Sequence, residues 1–109
     1  MSHEKYAQCI EACNDCAVAC NDCAASCLNE SDVKMMAKGI ALDIDCAAVC
    51  QLAAAAMARG SAHAQAICRL CADICKACGD EVAKHSAAHC QACAKACHKC
   101  ADECKKMAH

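Results

Sequence analysis

Six cysteines near the start of the chain, Cys9, Cys13, Cys16, Cys20, Cys23 and Cys27, are separated by 4, 3, 4, 3 and 4 residues. The mean step of about 3.6 residues is one turn of an α-helix, so the six thiols form a straight stripe down one face. Cys90, Cys93, Cys97, Cys100 and Cys104 repeat the pattern with spacings 3, 4, 3 and 4. Cys68, Cys71, Cys75 and Cys78 make a third stripe, and Cys46 and Cys50 are a fragment of a fourth. Within the first stripe, Ala12-Cys13-Asn14-Asp15-Cys16-Ala17 recurs seven residues later as Ala19-Cys20-Asn21-Asp22-Cys23-Ala24. A seven-residue repeat is two turns, so both copies present the same face.

The rest of the sequence agrees with helix. There is no proline, glycine occurs only at 39, 60 and 79, and β-branched residues are sparse. Four helices are predicted, over residues 2–28, 31–59, 61–85 and 86–107. Asn29-Glu30-Ser31-Asp32 forms the first break, with Ser31 as N-cap and Asp32 in the first turn. Gly60 ends the second helix and Ser61 caps the third. Gly39 and Gly79 fall inside helices, where each costs about 1 kcal/mol relative to Ala. Lys105 and Lys106 face the negative dipole end of the fourth. Connections this short favour antiparallel neighbours, so the expected fold is all-α, an up-down-up-down four-helix bundle with a Cys-lined core, built as one domain over residues 1–109.

A core for this bundle has little else to draw on. The chain holds 17 Cys and 28 Ala but only 13 Ile, Leu and Val together, with no Phe or Trp and one tyrosine, Tyr6. Free Cys behaves as a small hydrophobe, so the thiols themselves become the interior. A purely structural thiol core is the competing reading, but Leu, Ile or Val would pack better and resist oxidation. Glu11, Asp15, Asp22, Lys95, Lys99 and Asp102 fall on the opposite faces, towards water.

Several function classes are disfavoured. A net charge of −2, with 11 basic and 13 acidic residues, gives no case for nucleic acid. No apolar run approaches the ~18 residues needed to suggest a membrane span. Met1-Ser2-His3-Glu4-Lys5-Tyr6 lacks the pattern of a secretory signal, so a cytoplasmic protein is expected. In a reducing compartment an odd number of dense cysteines points to metal before disulfides. No nucleophile–base pair, phosphate loop or acid pair stands out, and the chain is not expected to be an enzyme.

Thiols at i and i+4 lie about 5–6 Å apart at Cβ. A linear S–metal–S unit spans roughly 4–5 Å, taking zinc–thiolate bonds of about 2.3 Å as a guide. Copper(I) is soft, selects thiolate and accepts two or three ligands. The candidate pairs are Cys9/Cys13, Cys16/Cys20, Cys23/Cys27, Cys46/Cys50, Cys71/Cys75, Cys93/Cys97 and Cys100/Cys104. Pairs alone give about eight ions, and bridging raises that towards one per sulfur. Unpaired buried thiolates are penalised, so the empty core is expected to be protonated and metal binding to release protons. Zinc needs tetrahedral quartets across helices at fixed heights, which a continuous ladder does not select. Zinc storage and thiol redox chemistry remain the alternatives. An iron–sulfur carrier fits less well, because Cys13, Cys16, Cys20 and Cys23 follow a different order from the ferredoxin run and no proline follows.

The CxxxC and CxxC ladders, the segment His89-Cys90-Gln91-Ala92-Cys93-Ala94-Lys95-Ala96-Cys97 and the missing signal together resemble the cytosolic copper storage proteins, over nearly the whole chain. The resemblance implies a bundle filled with multiple Cu(I) ions, held mainly by CxxxC pairs, in a homotetramer. It also implies non-Cys ligands at the mouth of the bundle, which map onto His85 and His89. The second helix departs from the pattern, with Asp43 and Asp45 beside only two cysteines.

His85 and His89 straddle the third turn, at the end that also carries Cys27, Met35, Met36 and Cys90, a grouping suited to copper passage. Solvated histidines beside a turn are the alternative. Of the adjacent Met35 and Met36 at most one points inward, as packing rather than ligand. Met57, Met107 and Tyr6 are expected to plug the opposite end, and His3, His63, His98 and His109 to lie on the surface. Ile40, Ile44 and Leu70 lie off the cysteine faces and are candidates for a subunit interface.

Overall fold

A computed structural model describes residues 4–108. A 3-10 turn, Glu4–Tyr6, leads into α1 (Ala7–Leu28); a second, Val33–Met36, leads into α2 (Ala37–Arg59); α3 (Ala64–Val82) and α4 (Ala88–Met107) follow. Each helix packs against its two sequence-adjacent or closing neighbours, α1 on α2 and α4, and α3 on α2 and α4. That is the expected up-down-up-down bundle, 47 Å long and only 18 by 17 Å across. The slimness follows from composition: Ala12, Ala17, Ala47, Ala53, Ala54 and Ala94 are buried beside the thiols and let the backbones approach. The surface positions of Glu11, Asp15, Asp22, Lys95, Lys99 and Asp102 are as expected.

The boundaries shift where turn chemistry decides them. Ser31 does not cap the second helix. It lies in an exposed turn, and the Met35 N–H donates to the Asp32 carbonyl at 2.9 Å, so the chain winds tightly through Met36 before α2 begins. This turn buries Met36 and leaves Met35 exposed. At the other end of α2, Gly60 takes φ 64°, a left-handed conformation that favours glycine, and the Ser61 N–H reaches the Ala56 carbonyl at 2.9 Å. Ser61 does not cap α3 either: its hydroxyl accepts the His63 N–H at 3.0 Å within the turn, and the helix starts at Ala64 with His63 as N-cap and no side-chain cap. α3 ends at Val82, three residues early. The Gln91 side chain donates to the carbonyls of Ala83 (3.1 Å) and His85 (2.6 Å), satisfying that turn from α4. Helix residues expected from Ser2, and His3 and His109, lie outside the described residues.

Gly79 has a packing reason. A Cβ there would come within 2.7 Å of the His98 ring, which lies over the α3 backbone and meets Asp80 at 2.9 Å. His98 and His63 are surface residues, as expected.

One stretch, Val33–Arg59, is long and apolar enough to cross a membrane by length and mean hydropathy (1.7). The expectation of no span-length segment therefore holds only for uninterrupted apolar runs. Half of the window is buried inside the bundle, and it carries Asp43, Cys46 and Cys50 on that buried side, as a core helix does.

Candidate metal centre

All 17 cysteines are unpaired thiols and all are buried. The stripes predicted from spacing converge on the axis. Five of the seven i,i+4 pairs have sulfurs in contact: Cys16/Cys20 at 3.9 Å, Cys23/Cys27 at 3.8 Å, Cys71/Cys75 at 3.7 Å, Cys93/Cys97 at 3.8 Å and Cys100/Cys104 at 3.9 Å. These are shorter than the roughly 4–5 Å of a linear S–metal–S unit, so a pair must part slightly to clasp one ion.

Contacts between helices are at least as close. Cys9 meets Cys104 at 3.5 Å, Cys20 meets Cys97 at 3.5 Å, and Cys46 and Cys50 meet Cys75 at 3.4 and 3.5 Å. Cys16–Cys46 (3.7 Å), Cys50–Cys100 (3.7 Å) and Cys27–Cys90 (3.7 Å) extend the network. Donor quartets drawn from different helices lie within 4.8 Å of one another, among them Cys13, Cys71, Cys100, Cys104 and Cys16, Cys46, Cys50, Cys75. The ladder was not expected to select such quartets; helix packing does, because facing stripes put their sulfurs at common heights. Coordination geometry alone therefore does not exclude zinc.

The weak fit of α2 has a definite origin. Its buried axis-facing line runs Met36, Gly39, Asp43, Cys46, Cys50, Ala53, Met57, the same alternation of 3 and 4 as in α1. Asp43 occupies the place of the next thiol. It is fully buried, its Oδ1 lies 3.2 Å from Cys78 Sγ and 3.3 Å from Cys93 Sγ, and its Oδ2 has no hydrogen-bond partner among the described residues. A buried carboxylate oxygen without a partner is costly. Its residue type conceals Asp43 among the candidate ligands, whereas the register, carried one more step from Cys50 and Cys46, reaches it.

Electrostatics reflect this crowding. Burial lifts the Asp43 carboxyl to about 7, reinforced by the Cys93 sulfur. The thiols influence one another in alternation. Sulfur contacts with Cys104, Cys16 and Cys20 hold Cys9, Cys46 and Cys93, respectively, below the usual thiol range. Their neighbours move oppositely, Cys20 raised by its bond to Cys16 and both Cys50 and Cys104 raised by bonds to Cys100. Burial pushes Cys90 up to about 11. Neighbouring thiols therefore shift in opposite directions and titrate as coupled groups, not one by one.

At the mouth, His89 Nε2 lies 3.4 Å from Cys27 Sγ and 3.8 Å from Glu30 Oε1. With Cys23, Cys27 and Cys90 it completes a mixed quartet of three sulfurs and one imidazole nitrogen. His85 is half-buried in the segment after α3, and its Nε2 is buried without a hydrogen-bond partner among the described residues. Met36 is buried at this end, while Met35 points to solvent. At the opposite end Tyr6, Met57 and Ala64 are buried in the core and Met107 is partly buried against it, as expected of the plug.

Known proteins share this architecture. The family model described as copper storage protein matches residues 2–109. The uncharacterized cysteine-rich protein YhjQ of Bacillus subtilis is 53% identical over 106 residues, 96% of this chain and 98% of its own length. Among solved structures, Cu(I)-bound copper storage protein BsCsp3 superposes with a TM-score of 0.90 at 53% identity, covering 94% of this chain and 96% of its own. A cytosolic copper storage protein from Streptomyces lividans, loaded with five coppers, gives a TM-score of 0.93 at 41% identity, covering 98% of this chain and 94% of its own.

Proposed function

Because the chain belongs to the copper storage protein family, we propose that it holds many Cu(I) ions in its thiol-lined interior, in the cytosol, with the whole chain acting as one storage unit. The carrying observation is the continuity of sulfur contacts through the bundle, from Cys9–Cys104 through Cys46–Cys75 to Cys27–Cys90. A site of fixed geometry isolates its donors; here each ion has neighbours that can share thiolates. Charge supports the monovalent ion. One Cu(I) per thiolate is neutral, and a neutral filling avoids the penalty for burying net charge. Two- or three-coordinate Cu(I) also tolerates both the i,i+4 and the cross-helix contacts.

All 17 cysteines serve as ligands in this reading. His89 joins Cys27 at the mouth, and the orphaned Nε2 of His85 and Oδ2 of Asp43 are ready to accept metal. No catalytic step is assigned; storage accounts for the core. The exposed Ile44 and Leu70, off the thiol faces, support a homo-oligomer, a tetramer by resemblance. Ile44→Lys is expected to lower the mass seen by analytical ultracentrifugation, and an unchanged mass would count against that interface.

Anaerobic titration of reduced, metal-free protein with Cu(I) against a chelating competitor tests the proposal. Binding of more than about eight ions per chain is expected. Saturation at one or two would overturn it.

A further inference from the structure

Bonds of about 2.3 Å to a tetrahedral cation such as Zn²⁺ place the four donors about 3.8 Å apart. The core already has that spacing. In the quartet Cys13, Cys71, Cys100, Cys104, the contacts Cys13–Cys104, Cys13–Cys100 and Cys100–Cys104 are 3.6, 3.6 and 3.9 Å. In Cys16, Cys46, Cys50, Cys75, the contacts Cys16–Cys46, Cys46–Cys75 and Cys50–Cys75 are 3.7, 3.4 and 3.5 Å. In Cys20, Cys78, Cys93, Cys97, the contacts Cys20–Cys97, Cys20–Cys93 and Cys93–Cys97 are 3.5, 3.8 and 3.8 Å. At the mouth, Cys27 lies 3.8 Å from Cys23, 3.4 Å from His89 and 3.7 Å from Cys90. These four quartets share no residue. Their α1 members, Cys13, Cys16, Cys20 and Cys23, climb the helix in steps of about 5 Å.

We propose that the core also forms four stacked sites for tetrahedral divalent cations, Zn²⁺ or Cd²⁺, three of them all-sulfur and one Cys₃His at the mouth. This builds on the reading that the inward sulfurs are metal ligands, but it assigns them a second class of ion and a different count.

Charge ranks the sites. A divalent ion with four thiolates carries −2, whereas the Cys₃His site carries −1 and is partly exposed. The mouth fills first. Stacked dianions about one helical turn apart repel strongly in a dry interior. Cu(I), neutral at one ion per thiolate, therefore displaces the divalent ions. The core is thus selective by charge, in favour of monovalent ions, and not by the absence of tetrahedral sites.

The test is an anaerobic titration of the reduced, metal-free protein with Cd²⁺, followed by native mass spectrometry and ¹¹³Cd NMR, with a parallel Cu(I) titration. We expect Cd²⁺ to saturate at four per chain, with one mixed sulfur–nitrogen resonance appearing first and three all-sulfur resonances after it. His89→Ala should abolish the mixed resonance, and Cys46→Ser should remove one all-sulfur resonance; circular dichroism checks that both variants remain helical. Excess Cu(I) should expel the Cd²⁺. Saturation far above four, as thiolate-bridged cadmium clusters would give, or no all-sulfur resonance at all, overturns the proposal. If Cd²⁺ stops at four and Cu(I) does so too, the storage reading falls and this one stands.

Discussion

The two ends of the bundle are built on the same helical register and finished with opposite chemistry. At the closed end the stripes run out into Tyr6, Met57, Ala64 and Met107, which bury apolar surface and offer no strong ligand. At the mouth they run out into Cys27, Cys90 and His89, with Glu30 3.8 Å from the imidazole. Register alone aims a side chain at the axis. Which residue stands in the last position decides whether that end finishes in apolar side chains or in thiols and an imidazole.

Breaking the seal gives the largest expected effect. Met57 is fully buried, and Met57→Ala is expected to cost about 2–5 kcal/mol of metal-free stability, measured by chemical denaturation. A loss well under 1 kcal/mol would mean that the thiol ladder, and not the plug, holds that end together.

Between the ends, Asp43 sets a pH dependence. Its carboxyl is raised to about 7 by burial, above its unfolded value near 3.9. Its contribution is therefore fully present below about pH 4 and is lost as pH rises through about 7, with a slope of at most about 1.4 kcal/mol per unit. Denaturation of the metal-free protein across that window should show the decline, and Asp43→Asn should flatten it. An unchanged slope in the variant would assign the effect elsewhere.

The smallest effect on stability is expected at the mouth. His89 is partly exposed, and His89→Ala should change metal-free stability by no more than about 0.5 kcal/mol. Stopped-flow mixing with a Cu(I) donor should nevertheless show slower uptake. Equal uptake rates in the two proteins would remove the functional distinction between the ends.

Much of this was legible before the structure. The spacing of Cys9 to Cys27 and Cys90 to Cys104 defines helix, face and core together, since only one conformation aligns them. The Gly60 stop was legible because a left-handed residue at a helix end has a chemical signature. The start of α2 was not, because Ser31 looks like a cap while the tight turn through Met36 depends on tertiary burial. The cross-helix quartets were also hidden: spacing places sulfurs along a helix, but only the relative height of two helices brings Cys46 to Cys75. The role of Asp43 lay between these cases, visible in register and concealed by its residue type.

The narrow 18 by 17 Å cross-section has a metabolic consequence. Alanine and cysteine bury little apolar area each, so the empty bundle has a thin reserve against unfolding, and an ion bound only by the folded form adds to it. The protein's lifetime in the cell should then track how full it is, with unfilled copies cleared before filled ones. Limited proteolysis of the two forms checks this, and equal half-lives would show that the scaffold stands without its contents.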